Sequence, residues 1–164
     1  MNAAKRMIPL FIAWVLLLII FRWKVDTFLA YDNMIDLMQQ ISVNAIIACG
    51  MTYCILIGGI DLSVGAVLAL VGTVTVWTLA YGEPAEQSIT RLILAIAAGL
   101  RVAGAVGLFN GFCAAKTKMP PFIITLGTML VARGLALRIN EVPIRVPSQD
   151  TLFLALGNAR IGGW

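Results

Sequence analysis

The 46 residues from Leu37 to Gly82 carry a single charge, Asp61, with 24 uncharged residues before it and 21 after it. As one α-helix this run would extend about 69 Å, whereas a bilayer hydrocarbon core is only about 30 Å thick. Two passes absorb that length and one does not. The chain is therefore expected to reverse at Gly58-Gly59-Ile60-Asp61-Leu62-Ser63. The same reading along the chain predicts spans at about 7–23, 37–57, 62–80, 89–115 and 122–139. The predicted fold class is an all-α integral membrane protein, a single transmembrane domain over 1–164 with about five helices.

The first run, Met7 to Phe21, follows Lys5 and Arg6 like the apolar body of a signal peptide. No Ala-x-Ala site follows it and further long apolar runs do, so it reads as an uncleaved span. Trp23 would anchor it at the interface, and Pro9 falls near its start, where a missing N–H costs little. Arg22 to Asp36 reads as a polar connector, with a turn at Tyr31-Asp32-Asn33. Gln39, Gln40, Ser42, Asn44 and Thr52 make the second span too polar to face lipid all round. In the third, Gly65, Gly72, Thr73 and Thr75 form a candidate packing face.

Tyr81 to Thr90 reads as a short polar loop holding Glu83, Pro84 and Glu86. The fourth span carries Arg101 among Gly99, Gly104, Gly107 and Gly111. An Arg there must snorkel, pair or meet water; Asp61 and Glu86 are the candidate partners. The glycines offer close approach to another helix. Lys116-Thr117-Lys118-Met119-Pro120-Pro121 is a basic loop whose prolines end one helix and can begin the next. Arg133 and Gly134 interrupt the fifth span. Beyond Asn140, Val142 to Pro147 reads as extended or looped, and Thr151 to Leu156 is too short to cross.

Composition agrees: 60% of the 164 residues are hydrophobic and 12% are charged, against about 25% charged in ordinary globular domains. The net charge of +4 fits Lys and Arg gathered in cytoplasmic loops rather than a nucleic-acid partner. Lys5, Arg6, Lys116 and Lys118 would lie inside, and Asp26, Asp32, Asp36, Glu83 and Glu86 outside. The N-terminus is then cytoplasmic, although Arg22, Lys24 and Arg145 fall on the wrong side. The chain has no histidine, which removes His-based metal sites, triads and proton relays. Cys49, Cys54 and Cys113 lie in apolar runs without metal-ligand spacing and read as small buried hydrophobes.

Two readings stand for the reversal. In one, Gly58 or Gly59 ends a helix in the left-handed region and Asp61 or Ser63 caps the next. In the other, a broken transmembrane helix exposes backbone to a pathway. Likewise Asn44, Thr52, Asn110, Thr125 and Thr128 either bond between helices or line a route for a hydroxyl-rich substrate.

Gly58-Gly59-Ile60-Asp61-Leu62-Ser63-Val64-Gly65, with Ala66 to Leu70, resembles the signature of bacterial monosaccharide (ribose/xylose/allose/galactofuranose-type) ABC transporter permeases. A second block agrees: Met119-Pro120-Pro121-Phe122-Ile123-Ile124-Thr125-Leu126-Gly127-Thr128-Met129, then Arg133-Gly134-Leu135-Ala136. Gly107-Leu108-Phe109-Asn110-Gly111 is a weaker third. The resemblance runs from about Asn33 to Asn158. It implies a pore subunit in the bacterial inner membrane, without enzymatic activity or a cofactor of its own. A second permease subunit, cytoplasmic ABC ATPase subunits that use the ATP, and a periplasmic sugar-binding protein are the implied partners. Family members are considerably longer. The chain is thus expected to be the N-terminal half of such a permease, without the later cytoplasmic loop that docks on the ATPase; Arg101 also departs from the pattern. The alternatives are an ion-coupled secondary transporter, with Asp61 as coupling charge, and an inactive truncated remnant or scaffold.

Overall fold

Each of the five predicted spans is a helix in the computed structural model, which describes residues 3–80, 89–141, 153 and 155. The helices are α1 (Ala3–Lys24), α2 (Tyr31–Leu56), α3 (Val64–Ala80), α4 (Ile89–Thr117) and α5 (Pro121–Ile139), and no strand occurs among the described residues. α1, α2, α4 and α5 are long and apolar enough to cross a membrane. α3, with 17 residues, is about 25 Å long and falls short of a full hydrocarbon core. The loop with Glu83, Pro84 and Glu86, the segment Val142 to Pro147, most of Thr151 to Leu156, and Trp164 lie outside the described residues.

The chain divides into two compact units, Met1–Gly50 and Met51–Trp164. In the first, the connector is shorter than its charges suggested. α2 begins at Tyr31, so Tyr31-Asp32-Asn33 is its first turn rather than a separate turn. Asn33 explains the difference. Its Nδ2 donates to the Phe28 carbonyl at 2.7 Å, and the Met34 N–H donates to the Ala30 carbonyl at 3.0 Å. Side chain and backbone together bind the helix start to the connector. Phe28 stacks on Phe21 with ring centroids 5.6 Å apart. Pro9 is also displaced from expectation. α1 starts at Ala3, which puts Pro9 inside the helix, where a membrane helix tolerates it.

In the second unit α3 packs against both α4 and α5. Ala66 and Leu70 of α3 meet Ala132 and Ala136 of α5, with Val67, Val74, Val102, Met129 and Ile139 around them. Alanines let two backbones approach, which is how helices associate where lipid is as apolar as the side chains. On the other flank Gly99 is the close-approach residue. A Cβ there would lie 2.4 Å from Thr75 Oγ1 and 3.1 Å from Val71 Cγ1. Gly104, Gly107 and Gly111 have nothing within 4 Å of such a Cβ. The expected four-glycine packing face therefore reduces to one residue. The cysteines also depart from expectation: Cys49 is exposed, and Cys54 and Cys113 are half-buried.

Candidate functional site

The reversal begins with a Schellman end on α2. Gly58 adopts φ +77°, a conformation that costs any residue with a Cβ about 1–2 kcal/mol. Its N–H donates to the Ile55 carbonyl at 2.9 Å, and the Gly59 N–H donates to the Cys54 carbonyl at 2.9 Å. These two bonds satisfy carbonyls that the helix end would leave open. Gly59 is buried, and a Cβ on it would stand 3.5 Å from Pro121 at the start of α5. The α2–α3 reversal and the α4–α5 connection therefore lie at the same end of this unit.

α3 starts one turn of chain later. The Val67 N–H donates to the Ser63 carbonyl at 2.8 Å, which makes Ser63 the N-cap of α3. Its side chain does not serve the helix. The Ser63 hydroxyl donates to Asp61 Oδ1 at 2.6 Å, and the Ser63 N–H donates to the same oxygen at 2.8 Å. The hydroxyl also accepts from Asn110 Nδ2 at 3.1 Å. Thr128 Oγ1 sits 2.6 Å from Asn110 Oδ1 and 3.0 Å from the Ile124 carbonyl. Its single proton favours the shorter of these. A chain of donors thus runs Thr128 to Asn110 to Ser63 to Asp61, from α5 through α4 to the N-terminus of α3. Ser63 and Asn110 are buried and Asp61 and Thr128 half-buried, so each bond replaces water at a group that is costly to leave unpaired.

Thr125, also buried, attends to the loop backbone. Its Oγ1 accepts from the Leu62 N–H at 3.1 Å and lies 3.3 Å from the Ile60 carbonyl and 3.2 Å from the Phe122 carbonyl. Depth follows from helix rise. Asn110 is seven residues inside the end of α4, and Thr128 seven past the start of α5, each about 10 Å inward. The non-helical stretch descends from Gly59, beside Pro121 at the start of α5, to Ser63 at that level, so α3 begins inside the helix ends. Irregular backbone at such depth persists only where protein satisfies it or a cavity takes it up. Here both occur. A cleft of about 470 Å³ opens beside the loop, lined by Cys54, Gly59, Asp61, Asn110, Pro121 and Thr125 among others.

The structure thus brings together Gly58, Gly59, Asp61, Ser63, Asn110, Thr125 and Thr128. Asn44 and Thr52 lie on α2 and are exposed; Asn44 belongs to the first unit, and Thr52 does not line the cleft. Gly65 is exposed with open space around it. Arg101 is exposed and makes no ion pair among the described residues; Asp61, the partner considered for it, bonds to Ser63 instead. Sequence reasoning missed three lining features. In the sequence Cys54 reads only as a small hydrophobe, Pro121 only as a helix start, and Gly107 and Gly111 as packing rather than as the open wall of a cleft. A cleft wall has the same small-residue pattern as a helix contact, so the sequence carried no signal to separate them.

Residues 33–153 match the family described as branched-chain amino acid transport system / permease component. The chain is 37% identical over 156 residues to the ribose import permease protein of Haemophilus influenzae, covering 93% of this chain and 46% of that protein. It is 41% identical over 128 residues to the ribose import permease protein of Bacillus subtilis, covering 77% and 37%. With the D-allose transport system permease protein of Escherichia coli it shares 40% over 116 residues, covering 71% and 34%. The chain spans less than half the length of these curated relatives. No solved structure matches it.

Proposed function

The chain belongs to the branched-chain amino acid transport system / permease component family, and from that premise we propose that it forms part of the translocation pathway of an ABC importer for a monosaccharide. The supporting observation is the broken backbone at Gly58–Ser63, held open beside a 470 Å³ cleft by neutral side chains. The family description names branched-chain amino acids, while the relatives above are named for ribose and allose. The lining favours sugar. Its side-chain groups beyond Asp61 are hydroxyl, amide, thiol and apolar, and it holds no cation to receive an amino acid's carboxylate. Neutral donors and acceptors suit hydroxyls and bind weakly enough to release them.

In this reading the protein is a multi-pass subunit of the bacterial inner membrane with its N-terminus cytoplasmic. A periplasmic binding protein delivers the sugar, a second permease subunit completes the pathway, and separate ABC ATPase subunits use the ATP. The permease does no covalent chemistry and needs no cofactor. Shared placement of the reversal and the basic Lys116–Lys118 loop at one end supports a cytoplasmic location for both.

The test is uptake of labelled ribose, allose and leucine by proteoliposomes holding the protein with its ATPase and binding protein. ATP-dependent sugar uptake without leucine uptake is expected. Sugar uptake that survives ATP depletion and collapses with an uncoupler would replace this reading with an ion-coupled carrier.

A further inference from the structure

A second concavity, on the α4–α5 face, plays no part in the cleft. It is a groove of about 650 Å³ running from Ala105 and Val131 past Phe109 and Gly127 to Thr117 and Met119. From residue 105 to residue 117 along α4 it extends about 18 Å, close to the roughly 15 Å of one leaflet's hydrocarbon. Its lining is almost wholly apolar; of its two hydroxyls, Thr117 is turned back onto the Cys113 carbonyl at 2.7 Å and Thr128 onto Asn110 and the Ile124 carbonyl. At its mouth Lys116 and Lys118 flank Thr117, both exposed, with Lys118 in the left-handed region at φ 55°. An apolar slot one leaflet deep under two cations is complementary to one chemistry, an acyl chain carrying a negative headgroup.

We propose that this groove is a binding site for an anionic phospholipid of the bilayer, with an acyl chain between α4 and α5 and its phosphate on Lys116 and Lys118. The proposal is independent of the transported substrate. It rests on the orientation above only for which leaflet supplies the lipid.

The test is native mass spectrometry of the purified protein with palmitoyl-oleoyl phosphatidylglycerol or palmitoyl-oleoyl phosphatidylcholine at low salt. A preference for phosphatidylglycerol of roughly thirtyfold is expected, the factor that two lysines near a membrane surface supply. The double variant Lys116→Gln/Lys118→Gln is expected to lose the preference while still retaining lipid. Gly127→Leu fills the groove from a position with open space around its Cβ, so the helix folds and retention of both lipids falls. Equal retention of the two lipids by the wild type overturns the proposal, as does a preference that survives the lysine substitutions or lipid retention indifferent to Gly127→Leu. A lipid-free dimer dissociated by Gly127→Leu would also overturn it and assign the groove to a second copy.

Discussion

Asn110 Nδ2 donates to Ser63 Oγ at 3.1 Å across 47 positions of sequence, and Asn110 Oδ1 accepts from Thr128 at 2.6 Å. One buried amide therefore ties α4 to the start of α3 and to α5. Asn110→Leu removes both bonds, leaving Thr128 with the Ile124 carbonyl and Ser63 with Asp61. Interhelical hydrogen bonds in membranes average about 0.6 kcal/mol each, and the leucine must also fit a buried site shaped for an amide. A loss of about 1–2 kcal/mol is expected, read as a lowered Tm in detergent. An unchanged Tm would remove Asn110 from its structural role.

The carboxylate of Asp61 is expected to act as a hydrogen-bond acceptor for Ser63 rather than as a mobile charge. Both Ser63 donors converge on Oδ1, and an amide oxygen accepts in the same place. Asp61→Asn should cost about 1 kcal/mol or less and keep ATP-dependent uptake near wild type, while Asp61→Ala should lower both stability and uptake. Loss of uptake in Asp61→Asn with stability intact would make the charge itself essential.

The two glycines of the reversal should separate cleanly. Gly58→Ala forces a Cβ into φ +77° and should destabilise by about 1–2 kcal/mol. Gly59→Ala meets only ordinary contacts at 3.4–3.5 Å and should fall within about 0.5 kcal/mol of wild type. Thermal melts of the pair check this, and the reverse order would contradict the Schellman assignment.

Gly99→Ala drives a methyl to within 2.4 Å of Thr75 Oγ1 and should cost about 1–3 kcal/mol. Gly104→Ala and Gly107→Ala meet nothing and should be neutral or stabilising by up to about 1 kcal/mol. Adding Thr75→Ala to Gly99→Ala should restore part of the loss, which a double-mutant cycle measures.

Much of this architecture was legible because span length is a strong constraint. The uncharged run after Lys5 and Arg6, the uncharged stretches around Asp61, and Pro120-Pro121 after the lysines pointed to the five helices. Local chemistry was legible less often. Nothing in the sequence distinguishes Gly58 from Gly59 as the left-handed residue, and Asn33 has the composition of a turn former although its side chain bonds the Phe28 carbonyl. Among the polar span residues, Asn110 and Thr125 line the cleft and Thr128 bonds Asn110, while Thr52 does not line it. That partition depends on which helix faces which, a tertiary fact that composition and periodicity do not encode. The same holds for Gly99, set apart from Gly104, Gly107 and Gly111 only by Thr75 opposite it.

In the proposed pathway the cleft beside the broken backbone is aqueous, and Cys54 in its lining reports on it directly. With Cys49 and Cys113 replaced by alanine, Cys54 is the only thiol. The measurement is sugar uptake before and after exposing the cytoplasmic face to a charged, membrane-impermeant thiosulfonate. Rapid modification of Cys54 and loss of uptake are expected. A Cys54 that only membrane-permeant reagents reach, or one modified with uptake unchanged, would contradict that pathway.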